Sequence, residues 1–396
     1  MTRTSRMWLL RLAAFAMVFA FVVIVFGAFV RLSNAGLSCP DWPTCYGKAS
    51  WPGHEQEIAT ANAAFPERAY EGQKAWREQG HRMIAGALGV LVLAIALVAV
   101  WSRPRLRWLI GSSAVAAAIG VAAYMKQAYL VSSLLSAVAL ALPFIAAARL
   151  DRPPAWRVAT ISLAVVIFQA MLGLWTVTWL LKPFVVMGHL LGGLLLFSLL
   201  GYIAFSLMLA QRGNALPVQA MRLKPMLIAG IGLLAIQIAL GGWTSANYAA
   251  LACGMDFPRC LGQWWPDTDF SEAFVLWRGI GVNYEGGILD GAARSAIQMT
   301  HRIGAAVVLL HVGALAMLAW KRGMPKFGMT IGALLIVQIA LGISNVVYGL
   351  PLAVATAHTA VAALLLMSLI AMLARLQATS TAGMPDTGVT YSAPST

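Results

Sequence analysis

Charge is scarce in this chain. Only 11% of its 396 residues are Asp, Glu, Lys or Arg, against about a quarter in a soluble globular domain. With 60% hydrophobic residues and a mean hydropathy of +0.77, that excludes a soluble core of this length. Negative charge is scarcer still, with 14 acidic residues against 28 basic ones and a net charge of +14. Cysteine occurs four times, and neither pair has further Cys or His at zinc-finger spacing. No P-loop, dinucleotide fingerprint or Ser-His-Asp arrangement stands out, which removes the common nucleotide-dependent and hydrolytic chemistries.

What is present is a series of long apolar stretches, each of about 20 residues, enough to cross a bilayer as a helix. Hydropathy and periodicity predict ten, at about 8–30, 81–101, 107–124, 128–148, 157–179, 184–210, 226–246, 299–320, 328–347 and 353–376. The fold class expected is an all-α polytopic membrane protein, because a bundle satisfies every backbone polar group away from water. The basic residues gather at one set of helix ends, among them Arg3, Arg6, Arg11, Arg103, Arg105, Arg107, Arg149, Arg152, Arg157, Arg212, Lys321 and Lys326. Of the 14 acidic residues, 12 fall within 31–80 and 247–298. Retention of basic residues on the cytoplasmic side then puts both termini in the cytoplasm and the two long loops in the periplasm of a bacterial inner membrane. A charge balance distributed in this way argues against nucleic acid as a partner. All four cysteines lie in the outer loops, and in that oxidising compartment Cys39–Cys45 and Cys253–Cys260 are disulfide candidates, as loop staples or as redox groups.

The chain repeats itself. FGAFVRLSNAGLSCPDWPTC ends at Cys45 and LGGWTSANYAALACGMDFPRC at Cys260; EQGHRMIAGAL around His81 matches QMTHRIGAAVV around His301. QAMLG, which starts at Gln169, precedes His189 by the same interval at which QIALG, from Gln338, precedes His358. An even number of helices separates equivalent points, so the copies are parallel, related by an axis along the membrane normal. One interval breaks the match. The stretch from His81 to His189 is nearly twice as long as that from His301 to His358, and the excess coincides with 103–154. The expected organisation is therefore two parallel-repeat four-helix bundles with an inserted helical hairpin. Residues 1–102 and 155–211 form the first half, 103–154 the hairpin, 212–378 the second half and 379–396 a disordered tail.

Histidine inside a membrane helix is costly and points to function. The four repeat-related histidines, read as lying near the outer helix starts, suggest two haem irons, each held between two imidazoles: His81 with His189, and His301 with His358. Arg82 and Arg302 are candidates for haem propionates. Glu78, one turn before His81, has Gln298 as its counterpart, so the first half is expected to host proton-dependent chemistry with Glu78 catalytic. His54 and His311 have no repeat partner and are read as non-ligands. Gln169, Gln237 and Gln338 are read as interhelical hydrogen-bond formers. Gly188, Gly192 and Gly193 would let a flat macrocycle, or another helix, approach closely.

With these pieces in order, and with NYEGGILDGAARSAIQMTHR and the final TAHTAVA, the chain resembles the haem A synthase family. The resemblance covers nearly all of it outside 103–154 and the tail. It implies eight helices in two similar bundles, haem b held by His301 and His358, and haem O as substrate at His81 and His189. It also implies Glu78 as a functional carboxylate and Cys39 with Cys45 as the outer-loop pair. The implied reaction is oxidation of a methyl group of haem O to a formyl group by successive hydroxylations, giving haem A for terminal oxidases. Haem O synthase, cytochrome c oxidase assembly factors and a second copy of the chain are the partners it suggests. Two alternatives stay open on the sequence: a dihaem electron carrier of the quinol-oxidising type, and a haem transporter or chaperone.

Overall fold

The computed structural model describes residues 3–209 and 216–382. In chain order the helices are α1 (Arg3–Leu32), α2 (Glu55–Ala64), α3 (Gly72–Val100), α4 (Pro104–Met125), α5 (Tyr129–Arg149), α6 (Pro154–Thr178), α7 (Pro183–Leu209), α8 (Val218–Met221), α9 (Lys224–Ala246), α10 (Phe270–Ala273), α11 (Gly291–Lys321), α12 (Pro325–Val347) and α13 (Leu352–Ala382). Ten spans among the described residues are long and apolar enough to cross a membrane, α8 and α9 counting as one. The protein is an all-α polytopic membrane protein with ten spans, where the family resemblance implied eight. Helices α4, α6, α9 and α12 carry proline in the first turn, where its missing N–H costs no hydrogen bond.

Helices α1, α3, α6 and α7 pack in a closed ring, and α9, α11, α12 and α13 repeat that ring in the same order. The rings meet where α7 touches α13, flanked by the matched contacts of α1 with α13 and α7 with α9. Lipid tails are as apolar as the side chains, so close packing between helices supplies the drive. On α1 the buried stripe is Ala13, Ala16 and Ala20, spaced to present one small-residue face. The α4–α5 hairpin lies outside the first ring, on α3 and α6, and Ser113 closes it by donating to the Ala139 carbonyl at 2.7 Å.

Two helices begin earlier than hydropathy predicts. α3 starts at Gly72 instead of 81, and α11 at Gly291 instead of 299. Their first turns are too polar to register as membrane segments. They are helical because they pack on the outer loops, burying Ala75, Glu78 and Gln79 in one case and Ala293, Ala296 and Ile297 in the other. Asp290 caps α11 by accepting from the Ala293 N–H at 2.8 Å. His81 and His301 are therefore about 14–15 Å along their helices and not at the outer starts, whereas His189 and His358 are about 9 Å along theirs. At the C-terminus the helix continues to Ala382, so 379–382 are helical, and the rest of the expected disordered tail lies outside the described residues, as does Arg212.

The outer loops are built alike. Cys39–Cys45 and Cys253–Cys260 are both disulfides. Beside them, Asp41 accepts from the N–H groups of Tyr46 and Gly47, and Asp256 from that of Gly262. Gly47 and Gly262 both have positive φ, 75° and 78°, a conformation that favours glycine. The first loop adds α2, tied down by Glu57, which accepts from Gly53 N–H and pairs with Lys48.

Candidate haem-binding sites

Each of the four histidines rests on a glycine of the helix that precedes it in its ring. A Cβ at Gly27 would lie 2.8 Å from His81 Cε1, and one at Gly241 would lie 3.2 Å from His301 Cε1. The corresponding distances are 3.6 Å from Gly173 to His189 Cε1 and 3.1 Å from Gly342 to His358 Cε1. The final glycine of each Gln-x-x-Leu-Gly motif is thus the seat of an imidazole. The glutamines serve the same rings. Gln338 Nε2 is 3.2 Å from His358 Nε2, and Gln237 Nε2 lies 3.1 Å from His301 Nδ1 while donating to the His301 carbonyl at 2.9 Å. Gln169 fills the space over Gly192, where a Cβ would collide with its Nε2. Gly192 therefore accommodates a side chain of a neighbouring helix, the close-packing alternative for that glycine.

Within each half the two histidines lie on helices that stand opposite one another in the ring: His81 on α3 and His189 on α7, His301 on α11 and His358 on α13. Nδ1 of His81, His189 and His358 is buried without a hydrogen-bond partner, as are Gln169 Nε2 and the Oε1 atoms of Gln237, Gln338 and Gln298. Buried polar groups of this kind are costly unless something satisfies them. Among the described residues no group of three or more His, Cys, Asp or Glu side chains is disposed to hold a metal ion. Two imidazoles on opposite helices of a ring suit an iron whose equatorial positions are filled by a porphyrin, so the donor sets fit haem. His311, by contrast, places Nε2 2.9 Å from the Met226 carbonyl, and His54 precedes α2 in the outer loop.

Glu78 is only 5% exposed. It accepts from Ser38 Oγ at 2.9 Å, from Cys39 N–H at 2.8 Å and from Arg82 Nη2 at 2.6 Å, joining the first disulfide loop to the helix that carries His81. Removing one partner of such a buried ion pair costs about 3–5 kcal/mol. Gln298 is equally buried, at 4%, with its Oε1 unpaired. The two propionate candidates are both engaged by the outer loops. Arg82 Nη1 donates to the carbonyls of Asp41 and Thr44 at 2.8 and 2.7 Å. Arg302 donates to those of Pro258, Arg259 and Asp256 at 3.2, 2.9 and 3.0 Å. Both guanidinium groups act as clamps on the disulfide loops, each joining several carbonyls of one turn. Sequence reasoning missed this role. Its signal was the shared Asp-x-Pro-x-Cys-x-Gly in the two loops, at 41–47 and 256–262.

Two matched rings of membrane helices, each carrying a pair of half-buried imidazoles on opposite helices, define a polytopic membrane protein of the haem-associated class. Residues 10–370 match the family described as cytochrome oxidase assembly protein. The haem A synthase of Shewanella oneidensis is 37% identical over 367 residues, 92% of this chain and 94% of the relative. That of Rhizorhabdus wittichii is 28% identical over 376 residues, covering 92% and 91%. The enzyme of the same name from Maricaulis maris is 26% identical over 388 residues, covering 93% and 95%. The chain belongs to the haem A synthase family.

Proposed function

We propose that this protein is a haem A synthase, an oxidoreductase that converts a methyl group of haem O to a formyl group by successive hydroxylations and loss of water. His81 and His189 hold the iron of the substrate, and His301 and His358 hold a resident haem b. The observation that carries the division of labour is the buried Glu78 against the neutral Gln298 at the same place in the repeat. Each hydroxylation replaces one C–H of the methyl group by C–OH; with water as the oxygen source it releases two protons, one from the carbon and one from the water, and an electron pair that must pass to an external acceptor. The half that does chemistry therefore needs a proton acceptor, and Glu78 is the buried carboxylate beside it. When bound, haem b supplies a one-electron redox centre. The chain's own part is to orient the imidazoles through the glycine seats and to hold Glu78 against Ser38, Cys39 and Arg82. The apolar ring lets a lipophilic substrate enter from the bilayer, where handover from a haem O synthase is the natural supply for a cytochrome c oxidase assembly route. The loops carrying the disulfides face the periplasm and both termini face the cytoplasm, in keeping with the basic helix ends on the opposite side.

The test is to express the protein with a haem O synthase in a host that lacks haem A, then extract and separate the haems with mass detection. Haem A or its hydroxylated precursor is expected. Glu78→Gln at equal protein level should leave haem O unconverted. Only haem b and unchanged haem O from folded wild-type protein would favour an electron carrier or chaperone instead.

A further inference from the structure

Two cations of the first half have no counterpart in the second. Arg77 stands four residues before His81, where the second half has Ile297, and Lys182 stands seven residues before His189, where it has Pro351. On a helix, four residues turn about 400° and rise about 6 Å; seven turn about 700° and rise about 10 Å. Arg77, on α3, therefore lies close to the face of His81, on its outer side, and Lys182 is the residue immediately before α7, outward of His189. Lys182 is 1% exposed, yet its Nζ has no hydrogen-bond partner. It sits 3.3 Å from the ring centroid of Trp277, a residue of the second half's outer loop, and 5.4 Å from that of Trp179. That loop is fastened over the first half by the Tyr284 N–H, which donates to the Leu180 carbonyl at 3.1 Å, and by the Arg68–Glu285 pair. Arg77 has a buried, unpaired Nε and lies over the rings of Phe29 and Trp76 at 5.1 and 6.0 Å. Neither cation forms an ion pair with a carboxylate among the described residues.

An enclosed ammonium held only by aromatic faces is costly, and burial pulls its pKa below the ordinary lysine value. An incoming carboxylate would restore the charged form. Arg82, the guanidinium nearer the expected position, is committed to loop carbonyls and Glu78. Resting on the reading of the first half as the haem O site, we propose that Lys182 and Arg77 are its carboxylate receptors, binding the two propionates of the substrate haem. The second half does without this pair, so the receptors distinguish the exchanging site from the resident one.

The test titrates iron protoporphyrin IX and its dimethyl ester into the purified full-length protein carrying its resident haem, following the added absorbance. Wild type should bind the diacid at least about tenfold more tightly than the diester, as charge-assisted hydrogen bonds require. The double variant Lys182→Met/Arg77→Met should bind both at the affinity wild type shows for the diester. Lys182→Met should melt no lower than wild type without added porphyrin, since it removes an unpaired buried charge. An undiminished preference in the double variant would overturn the proposal, as would equal binding by wild type or a marked loss of melting temperature in Lys182→Met. Wild-type protein that takes up neither probe would overturn the two-haem reading itself.

Discussion

Replacing Gly27 by alanine puts a methyl carbon 2.8 Å from His81 Cε1. Carbon atoms rest at about 3.5–4.0 Å, so the imidazole must retreat by more than about half an ångström. Overpacking of that kind costs about 1–3 kcal/mol, while alanine's better helix propensity returns at most ~1 kcal/mol. A ligand displaced by about 0.5 Å is also at the limit that a precise site tolerates. The net expectation is about a tenfold loss of haem O affinity in the first half, with haem b in the second half unaffected. At Gly173 the same methyl would sit 3.6 Å from His189 Cε1, an ordinary contact, and Gly173→Ala should be neutral. In the second half Gly342→Ala and Gly241→Ala, at 3.1 and 3.2 Å, should deplete haem b and leave the first half alone. Haem content per protein, measured by extraction for each variant at matched protein level, decides it. If Gly173→Ala were as harmful as Gly27→Ala, or if Gly27→Ala removed haem b, the glycine seats would not be ligand-positioning features.

Three further outcomes are expected. Arg302→Lys loses the fork that holds three carbonyls of the second disulfide loop, so residues 256–262 should open to protease at a cost of about 1–2 kcal/mol. Glu57 is held at about 2, below the usual carboxylate value, by the Gly53 N–H and the Lys48 ammonium. Its stabilising contact is thus complete above about pH 4.5 and lost as pH falls toward 2, which hydrogen exchange of α2 should report and Glu57→Gln should abolish. Gln237→Val removes the side chain that fixes His301, so the variant should release haem b to a competing apoprotein faster than wild type, followed by absorbance.

The repeat made the helix order, the parallel copies, the hairpin and the disulfide pairs legible, because hydropathy and matched motifs survive without any knowledge of packing. Depth was misjudged where hydropathy stops reporting. The first turns of α3 and α11 are too polar to look like membrane segments, yet they are helical because the outer loops bury one face of each. The loop-clamping role of the arginines was missed for a related reason. A guanidinium beside a histidine at the membrane boundary reads as a propionate partner unless one knows that the Asp41 and Asp256 loops turn their carbonyls towards it. Arg77 and Lys182 were legible in principle, since aligning the halves sets them against Ile297 and Pro351, but only burial without a partner gives those differences meaning.

The two halves share a ring, a pair of glycine seats and a disulfide loop, and three differences between them stand at the outer ends of the helices that carry the first half's histidines. The first half has Glu78, Arg77 and Lys182 where the second has Gln298, Ile297 and Pro351. At a further position, inside the helix, the direction reverses: the second half has Gln237 bonded to His301, and the first has Val23, leaving His81 Nδ1 without a partner. A side chain that both seats and hydrogen-bonds a ligand lowers the freedom of that ligand and slows its release. A ligand seated by shape alone keeps its rotational freedom. Charge, in turn, favours an anionic guest without needing a permanent bond to the chain. On the proposed reading, the half that must exchange its haem is thus supplied with charge and spared the tether, and the half that must keep its haem has the tether and no surplus charge. Duplicated scaffolds diverge cheaply in this way, because three of these substitutions lie at the outer ends of helices and the fourth changes a single side chain beside one imidazole.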